Sequence, residues 1–471
     1  MRKELHPKTV ISIIYVTAMF MAAMDGTIVN VALSTISREF GISPSATSSL
    51  NISYITSLAV ILPLSGWLGD RFGTKRIFIL ALSLFTGASI LCGFSNSLGA
   101  LNVSRILQGI GGGLLTPVGM AMLFRTFSKE ERARASRSLL LPIAVAPAIG
   151  PVVGGLLVDM ASWRWIFYIN VPFGLFTIIF ALLFLKEHKE QKAGKFDALG
   201  FLLSAPGLCF LLYALIEAPS EGLSPVVLIT GIAGLVLLTF FVLLELKIEQ
   251  PMLFLRLLAE DNFKKMCMIS FLASGGLLGM LYVFPLMYQS ALGASALESG
   301  LVLFPEALGL MLASRLVPFS NKKWGAKNVI STGLLVAALL FVLLSFAGSI
   351  ANPWVFRIIL FGIGVSLGHA VVTVQFTSFA NVSSSSMGRA TTLFQVQNRL
   401  GSSIGLAVLA GIIALFQFGS SSRESLLPYQ ASLGGAALIL FIAFLVSLTV
   451  GAREKTTVKH KKGAELAQIK K

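Results

Sequence analysis

Fourteen apolar runs, each about 20 residues or longer, divide this chain and leave it few ways to fold. A run of that length is enough to cross the hydrocarbon core of a bilayer as a helix. Hydrocarbon offers backbone N–H and C=O groups no water, so each run must satisfy its own backbone as a helix. The runs fall at 11–34, 46–69, 77–96, 100–124, 138–158, 165–185, 197–216, 225–245, 266–289, 297–317, 329–349, 353–378, 389–416 and 431–451. The chain is 55% hydrophobic and 12% charged, about half the charge of a soluble domain. An all-α integral membrane protein of fourteen transmembrane helices is therefore expected. The run at 11–34 is too long for a signal-peptide core and lacks a small-residue cleavage site, so it reads as the first span.

The net charge of +16 could suggest a nucleic-acid partner, but its distribution points to topology instead. Basic residues crowd alternate connections: Arg71, Lys75 and Arg76; Arg125, Lys129, Arg132, Arg134 and Arg137; Lys186, Lys189, Lys192 and Lys195; Lys247, Arg256, Lys264 and Lys265; Lys322, Lys323 and Lys327. The opposite connections hold Arg38, Arg164 and Arg423. The positive-inside rule then expects both basic termini in the cytoplasm and the protein in the cytoplasmic membrane.

An internal repeat sets the plan. The stretch Gly66 to Arg76, with Asp70, Arg71, Gly73 and Lys75, returns in damaged form at Pro318 to Asn328. Gly73 pairs with Gly325 and Lys75 with Lys327, 252 positions on, while Asp70 is matched by Lys322. Arg105 and Arg357 keep the same offset. The first glycine follows the second span and the other follows the tenth, so the repeat spans eight helices. Two helices must then separate two similar six-helix bundles. The expected division is 1–190 for the first bundle, 191–250 for the two linker helices, and 251–471 for the second bundle with a basic tail. Paired bundles of this kind are a transporter plan, with the substrate site between halves near the midplane.

Enzyme chemistry finds little room. No connection exceeds about 25 residues, too short for a soluble domain, and no phosphate-binding loop of the G-x-x-x-x-G-K-[ST] type occurs. The glycines at 109, 111, 112 and 113 loosely match a dinucleotide fingerprint but lie in an apolar helix with no strand before them. Cys92, Cys209 and Cys267 lie inside apolar runs, which implies no disulfide framework. No metal site and no cofactor are expected, and the oligomeric state is unreadable.

The residues that carry chemistry are charges and helix breakers inside the runs. Asp25 lies in the first span, where a charge is costly and marks an ion or substrate pathway, or a fixed lock between two helices. Arg105, in the fourth, needs a partner, and Asp25 is the obvious one. In the fifth span Pro147, Gly150, Pro151, Gly154 and Gly155 combine kinks with a smooth face suited to a gate, or simply to tight packing. Asp70, Arg71, Gly73 and Lys75 form a turn at the membrane face; Asp70 could latch onto a helix N-terminus there. Glu306 follows Pro305 in the tenth span. Tyr282, Phe284, Tyr288 and Phe304, on this and the preceding helix, could offer aromatic faces to a cation. Glu306 could equally be a proton site, or the partner of Arg399 or His369. A lone histidine such as His369 is more often a packed residue than a titrating one.

Together these residues resemble the major facilitator superfamily, specifically its fourteen-helix drug:proton antiporter family. Residues 66–76 resemble the superfamily's loop motif, and Asn102 to Gly113 its fourth-helix arginine motif. Gly150, Pro151, Gly154 and Gly155 resemble the fifth-helix antiport motif. Asp25 to Leu33, Trp163 to Pro172 and Arg399 to Gly405 resemble signatures of the fourteen-helix branch. The resemblance runs from about residue 11 to 451. It implies proton-driven efflux of a small molecule, with Asp25 and Arg105 in the coupling and protons as the coupling ion. Two departures stand out: no tryptophan lies near Leu50 and Asn51, and Glu306 stands where many relatives carry an uncharged residue. The expected function is export of amphiphilic, cationic compounds. A dedicated single-metabolite exporter, an ion antiporter, or a non-transporting membrane sensor or scaffold remain the alternatives; retained buried charges and the lack of an effector domain speak against the last.

Overall fold

A computed structural model of the chain describes residues 6–127, 145–147, 149–187, 197–222, 224–248, 251–347, 352–380, 382, 387–417 and 426–450. Its principal helices, in order, are α1 (Pro7–Ile28), α2 (Ser48–Phe72), α3 (Thr74–Phe94), α4 (Leu98–Thr126), α5 (Val145–Met160), α6 (Asn170–Phe184) and α7 (Ala198–Glu221). Then follow α8 (Pro225–Lys247), α9 (Asp261–Ser290), α10 (Ala296–Trp324), α11 (Ala326–Ala347), α12 (Pro353–Ser378), α13 (Met387–Gln417) and α14 (Leu427–Leu448). Among the described residues thirteen helical segments are long and apolar enough to cross a membrane. The remaining one, α5, is shorter, and residues 138–144 of its expected span lie outside the described residues. The basic connection 128–137, most of the 186–196 connection and the basic tail also lie outside them.

Helix ends follow local chemistry more than apolar content. The first helix begins at Pro7, ahead of its apolar run, because proline suits the first helical position and His6 caps the Lys8 amide at 3.3 Å. It ends early: a 3-10 turn at Val29–Val31 leads into a separate short helix, Leu33–Phe40. Ser97 caps α4, Ser224 caps α8 ahead of Pro225, and Asn352 caps α12 ahead of Pro353. At α10 Ser295 and Glu298 cap each other's backbone N–H groups.

The repeat is visible in the backbone. Gly73 ends α2 at φ 101° and Gly325 ends α10 at φ 79°, conformations that favour glycine. Each donates its N–H four residues back, to Gly69 and Asn321, at 3.0 Å. Correspondingly, α2 packs on α4 and α10 packs on α12.

Helices α1, α2, α3, α4 and α6 pack on one another, as do α9 to α14. The α7–α8 hairpin packs on itself, and α7 rests against both α2 and α13. Lipid is the natural neighbour for the outward faces: Leu80, Ile229, Ile232, Phe240, Phe346 and Ile358 are all exposed, and in water such a surface would aggregate.

The halves meet along α2 and α13, where Thr56 donates to Ser403 at 3.2 Å, and at the end bearing the 41–46, 159–164 and 291–295 connections. At that end the Tyr282 hydroxyl donates to the Pro44 and Ser45 carbonyls at 3.0 and 3.2 Å, and Gln289 donates to the Val31 carbonyl at 2.9 Å. Asp159, near the end of α5, accepts from the Ala296 and Leu297 amides at 3.2 and 2.8 Å. A carboxylate of the first half thus caps the N-terminus of a second-half helix, where backbone donors and the helix dipole favour an anion. Beside it, α5 and α10 touch backbone to backbone. A Cβ on Gly155 would lie 2.5 Å from both the Ala296 carbonyl oxygen and Leu297 Cα, and one on Gly300 would overlap the Pro151 carbonyl.

Glu39 closes the same end of the first half, accepting from Trp163 Nε1 at 2.6 Å and Arg164 Nη1 at 2.8 Å. Burial pushes its carboxyl up, but the Arg164 and Trp163 hydrogen bonds and the Arg164 charge outweigh that and hold it below the usual carboxylate range. The contribution of this cluster to stability should be fully present above the unfolded carboxylate pKa and vanish as pH falls through the lowered folded value. Melting curves of wild type and Glu39→Gln should therefore differ at neutral pH and converge in strong acid. A gap that stays constant with pH would remove Glu39 as the titrating group.

Candidate functional site

Three helices converge on Asp25, which is wholly buried in α1. Arg105 Nη1 of α4 donates to Asp25 Oδ2 at 2.7 Å, and both side chains have no exposed surface. Gln108 Nε2, one turn on in α4, donates to Oδ1 at 2.8 Å, and Asn170 Nδ2 at the start of α6 donates to the same oxygen at 2.8 Å. The carboxylate therefore accepts three hydrogen bonds in a place with no exposed surface. Such bonds to an ion are the strong kind.

The arginine is held as closely. Its Nη1 also reaches Gln108 Oε1 at 2.6 Å, and its Nε reaches the Leu50 carbonyl at 3.4 Å. The guanidinium carbon lies 4.0 Å from the centroid of the Tyr54 ring of α2 and 5.8 Å from that of Phe167, so aromatic faces share its charge. Ser89 of α3 accepts from Gln108 at 2.9 Å. Two polar atoms of this network, Arg105 Nη2 and Asn170 Oδ1, find no partner among the described residues. The glycines after Arg105 let these helices close up: a Cβ on Gly111 would lie 2.8 Å from the Ala81 carbonyl of α3, and one on Gly113 2.7 Å from the Leu58 carbonyl of α2. A second amide pair, Asn51 of α2 donating to Asn30 in the 3-10 turn after α1 at 2.8 Å, lies beyond this network.

The second half has no copy of this network. At the repeat offset Leu277 stands for Asp25 and Leu360 for Gln108. Arg357, the counterpart of Arg105, lies over the Trp354 ring at 4.7 Å. Glu306 instead falls at the position of Tyr54. It is 4% exposed, and its Oε1 has no hydrogen-bond partner among the described residues. Its backbone carbonyl is pressed against Gly364 of α12. Neither partner considered from sequence is bonded to it. His369 is held by the Ser320 hydroxyl at 3.3 Å and the Val365 carbonyl at 2.8 Å, as a packed histidine would be. Arg399, half-buried in α13, leaves its Nε unpartnered and acts electrostatically on Tyr54 across the seam between halves.

The four aromatic residues grouped with Glu306 have separate positions. Tyr282 is spent on the closed end, through its bonds to Pro44 and Ser45. Phe284 and Tyr288 stack on each other at 5.5 Å and both meet Phe356 edge-on at 5.6 and 5.4 Å, which makes them packing between α9 and α12. Phe304 is half-buried on α10.

The two gating stretches are also placed. At the α2–α3 turn Arg71 is exposed, and the Asp70 side chain lies outside the described residues. Among the described side chains a carboxylate at this turn is Glu187, beyond α6: it accepts from the Lys75 and Arg76 amides at 3.0 and 3.3 Å and pairs with Arg76 Nε at 3.7 Å. Lys75 Nζ reaches back to the Leu182 carbonyl at 3.1 Å. In α5 the missing N–H of Pro151 frees the Pro147 carbonyl, and Thr27 Oγ1 of α1 donates to it at 3.3 Å. Gly150 sits under that same hydroxyl, Gly154 against Ile28, and Gly155 against α10.

Sequence reasoning missed Gln108, Asn170 and Glu187 as members of these sites. For Gln108 a signal existed: it lies three residues from Arg105, on the same helical face. Among the described residues no group of three His, Cys, Asp or Glu side chains could hold a metal ion.

The sequence model of the Major Facilitator Superfamily matches residues 15–406 and 266–470. A Pectobacterium atrosepticum protein named MdtD is 32% identical over 438 residues, covering 92% of this chain and 91% of that protein. The Mycobacterium tuberculosis (strain H37Rv) "Multidrug resistance protein B homolog" is 30% identical over 436 residues, covering 90% and 80%. In fold, the crystal structure of the POT family transporter PepTSo superposes with a TM-score of 0.68 at 14% identity, covering 94% of this chain and 98% of that one.

Proposed function

The chain belongs to the major facilitator superfamily, and from that premise we propose that it is a multidrug efflux transporter, driven by inward proton flow and selective for amphiphilic cations. A relative at 30% identity carries a multidrug-resistance name, which supports the drug class. The observation that carries the coupling is the buried carboxylate of Asp25, bonded to Arg105, Gln108 and Asn170. A proton taken up on Oδ2 cancels the charge that holds Arg105, and the guanidinium then relies on Gln108, the Leu50 carbonyl and Tyr54. Because α1, α4 and α6 all grip this one carboxylate, its protonation alters how three helices of the first half are tied together. Loss of the Arg105 bond and proton uptake are thus one event.

The driving force is adequate. Each pH unit is worth about 1.4 kcal/mol per proton, and each charge crossing 100 mV about 2.3 kcal/mol. One proton exchanged for one monovalent cation moves no net charge, so the pH gradient alone drives it, at about tenfold per pH unit; exchange that does move net charge adds the membrane potential and supports roughly a hundredfold or greater. Positive-inside asymmetry supports a cytoplasmic position for both termini, and hence an outer position for the closed end with Asp159 and Tyr282. Pro147, Gly150, Pro151, Gly154 and Gly155 of α5, with the turn at Arg71, Gly73 and Lys75, are the gating elements in this reading.

Glu306 supplies the cation preference. A buried carboxylate with a free oxygen attracts a positive group and gains little from a neutral one. Glu306→Gln should weaken export of a cationic dye while sparing a neutral compound, in a paired efflux assay normalised to folded protein. Equal loss for both compounds would remove Glu306 from charge recognition.

A further inference from the structure

A second pair of acids lies far from Asp25, in the hairpin that separates the two halves. Asp197 caps the start of α7 and Glu245 lies near the end of α8. Each uses one carboxylate oxygen conventionally: Asp197 Oδ1 accepts from the Gly200 amide at 2.8 Å, and Glu245 Oε2 from the Leu253 amide at 3.0 Å. The other two oxygens, Asp197 Oδ2 and Glu245 Oε1, are buried and find no donor among the described residues. Both converge over Gly200, where a Cβ would overlap Asp197 Oδ2 and lie 2.8 Å from Glu245 Oε1. Glu245 has no exposed surface at all, and the two carboxyl groups meet over the Gly200 backbone.

Two carboxylate oxygens cannot bond each other, since both only accept. Side by side and ionised in a buried place they repel, and such pairs resolve the conflict by sharing one proton. A metal cation fits poorly. Hard cations want six or more oxygens, and this site has two free ones with N–H donors around them. Among the described residues the positive groups on neighbouring elements are committed or turned away; Lys195, two residues before Asp197, lies outside them. Arg256, in the turn Leu255–Ala259, donates to the Leu246 and Ile248 carbonyls. Arg389 of α13 covers the Phe254 ring at 5.0 Å, and Arg399 of α13 acts on Tyr54. Lys247 of α8 and Arg71 of α2 are exposed. Glu260 caps α9 through the Phe263 amide. Among the described residues the charged group acting on Glu245 is Asp197.

We propose that Asp197 and Glu245 form a proton-binding site, distinct from the Asp25 network, which holds one proton between Asp197 Oδ2 and Glu245 Oε1 and thereby ties the start of α7 to the end of α8 and, through Glu245, to the segment entering α9. The docking follows from the bonds. Glu245 Oε2 holds the Leu253 amide, and Leu253 belongs to the stretch that leads through Leu255–Ala259 into the second half. While the proton is shared, one carboxyl group bridges the start of α7 and that stretch. When it leaves, two like charges face each other and the start of α7 loses its hold on Glu245 and that stretch, while the Glu245–Leu253 bond remains. The site is a bound-proton switch on the linker, and does not require Asp25 to be the coupling residue.

The test uses the full-length protein in lipid nanodiscs, with spin labels at the exposed positions 199 and 259 in a background lacking Cys92, Cys209 and Cys267. Infrared spectra of the unlabelled protein should show a protonated-carboxyl C=O band that is lost in Glu245→Gln and in Asp197→Asn but kept in Asp25→Asn. The distance between labels should lengthen in wild type as pH is raised, while the bundle remains folded by tryptophan fluorescence. In Glu245→Gln it should stay short at every pH, because the amide donates permanently where the proton sat. Asp197→Asn offers the same donor from the other side and serves if the first variant folds poorly. A band surviving both substitutions, a wild-type distance indifferent to pH, or an unchanged pH response in the variants would each overturn the proposal. So would a distance that responds to sodium or potassium at fixed pH, which would make the occupant a metal cation.

Discussion

Asp25→Asn should abolish concentrative, proton-driven export while leaving substrate binding largely intact. The substitution removes the titrating group but not the space it fills, and the neighbouring amides can adapt. Asn170 Oδ1 is unpartnered, so a flip of that amide presents an acceptor to the NH2 group introduced at position 25. Arg105 loses its counter-charge yet keeps Gln108, the Leu50 carbonyl and the Tyr54 face. In proteoliposomes with an imposed gradient of two pH units, the roughly hundredfold accumulation available to one-for-one proton exchange should collapse to simple equilibration. Binding of a fluorescent cation, measured on the same preparation, should persist. Wild-type proton-coupled efflux by this variant would sink the assignment of Asp25.

The complementary substitution, Arg105→Met, is expected to strike stability first. It leaves Asp25 ionised and uncompensated in a site with no exposed surface, and breaking a buried pair from one side costs about 3–5 kcal/mol. That is a large part of the stability of an ordinary domain. The folded fraction in detergent and its thermal midpoint should therefore fall sharply. The double variant Asp25→Asn/Arg105→Met removes both charges and should recover most of the loss, because the two effects share one interaction. A single variant as robust as wild type, or a double variant no better than the single, would show that the pair does not hold these helices.

The two members of this pair are legible from sequence for one reason: a charge in hydrocarbon demands a partner. Gln108 and Asn170 make no such demand, being neutral, and in a sequence they read as tolerated polar residues. Their importance comes from convergence of α1, α4 and α6, which no local pattern records. Glu306 is legible by the same rule as Asp25. Its aromatic neighbours are not, because a tyrosine or phenylalanine on an apolar helix has the same signature whether it lines a passage, as expected for Tyr282, Phe284 and Tyr288, or packs against Phe356 and closes a seam. Asp197 and Glu245 escape notice for the opposite reason to Asp25. They sit at helix ends, where acids are ordinary, and only the fold shows that they are buried together.

The architecture itself is the easier reading. Run length sets fourteen helices, and the offset between Gly73 and Gly325 sets their grouping as a repeat. The boundaries depend on caps instead. Pro7 starts α1 ahead of its apolar run, and the 3-10 turn at Val29–Val31 ends it early, so the expected span 11–34 is displaced at both ends.

The contact of α5 with α10 has a consequence for how this protein can vary. At Gly155 and Gly300 the seam is backbone against backbone, with no side chain left to trim. Every substitution at either position adds atoms, and none can bring the helices closer. Inherited variation at these two positions is therefore one-directional: it can only lower the population of the arrangement with this end shut. Selection for a more tightly sealed pump has to work elsewhere, through polar ties such as Asp159 and Tyr282, while selection for a leakier one has a single-step route at each glycine.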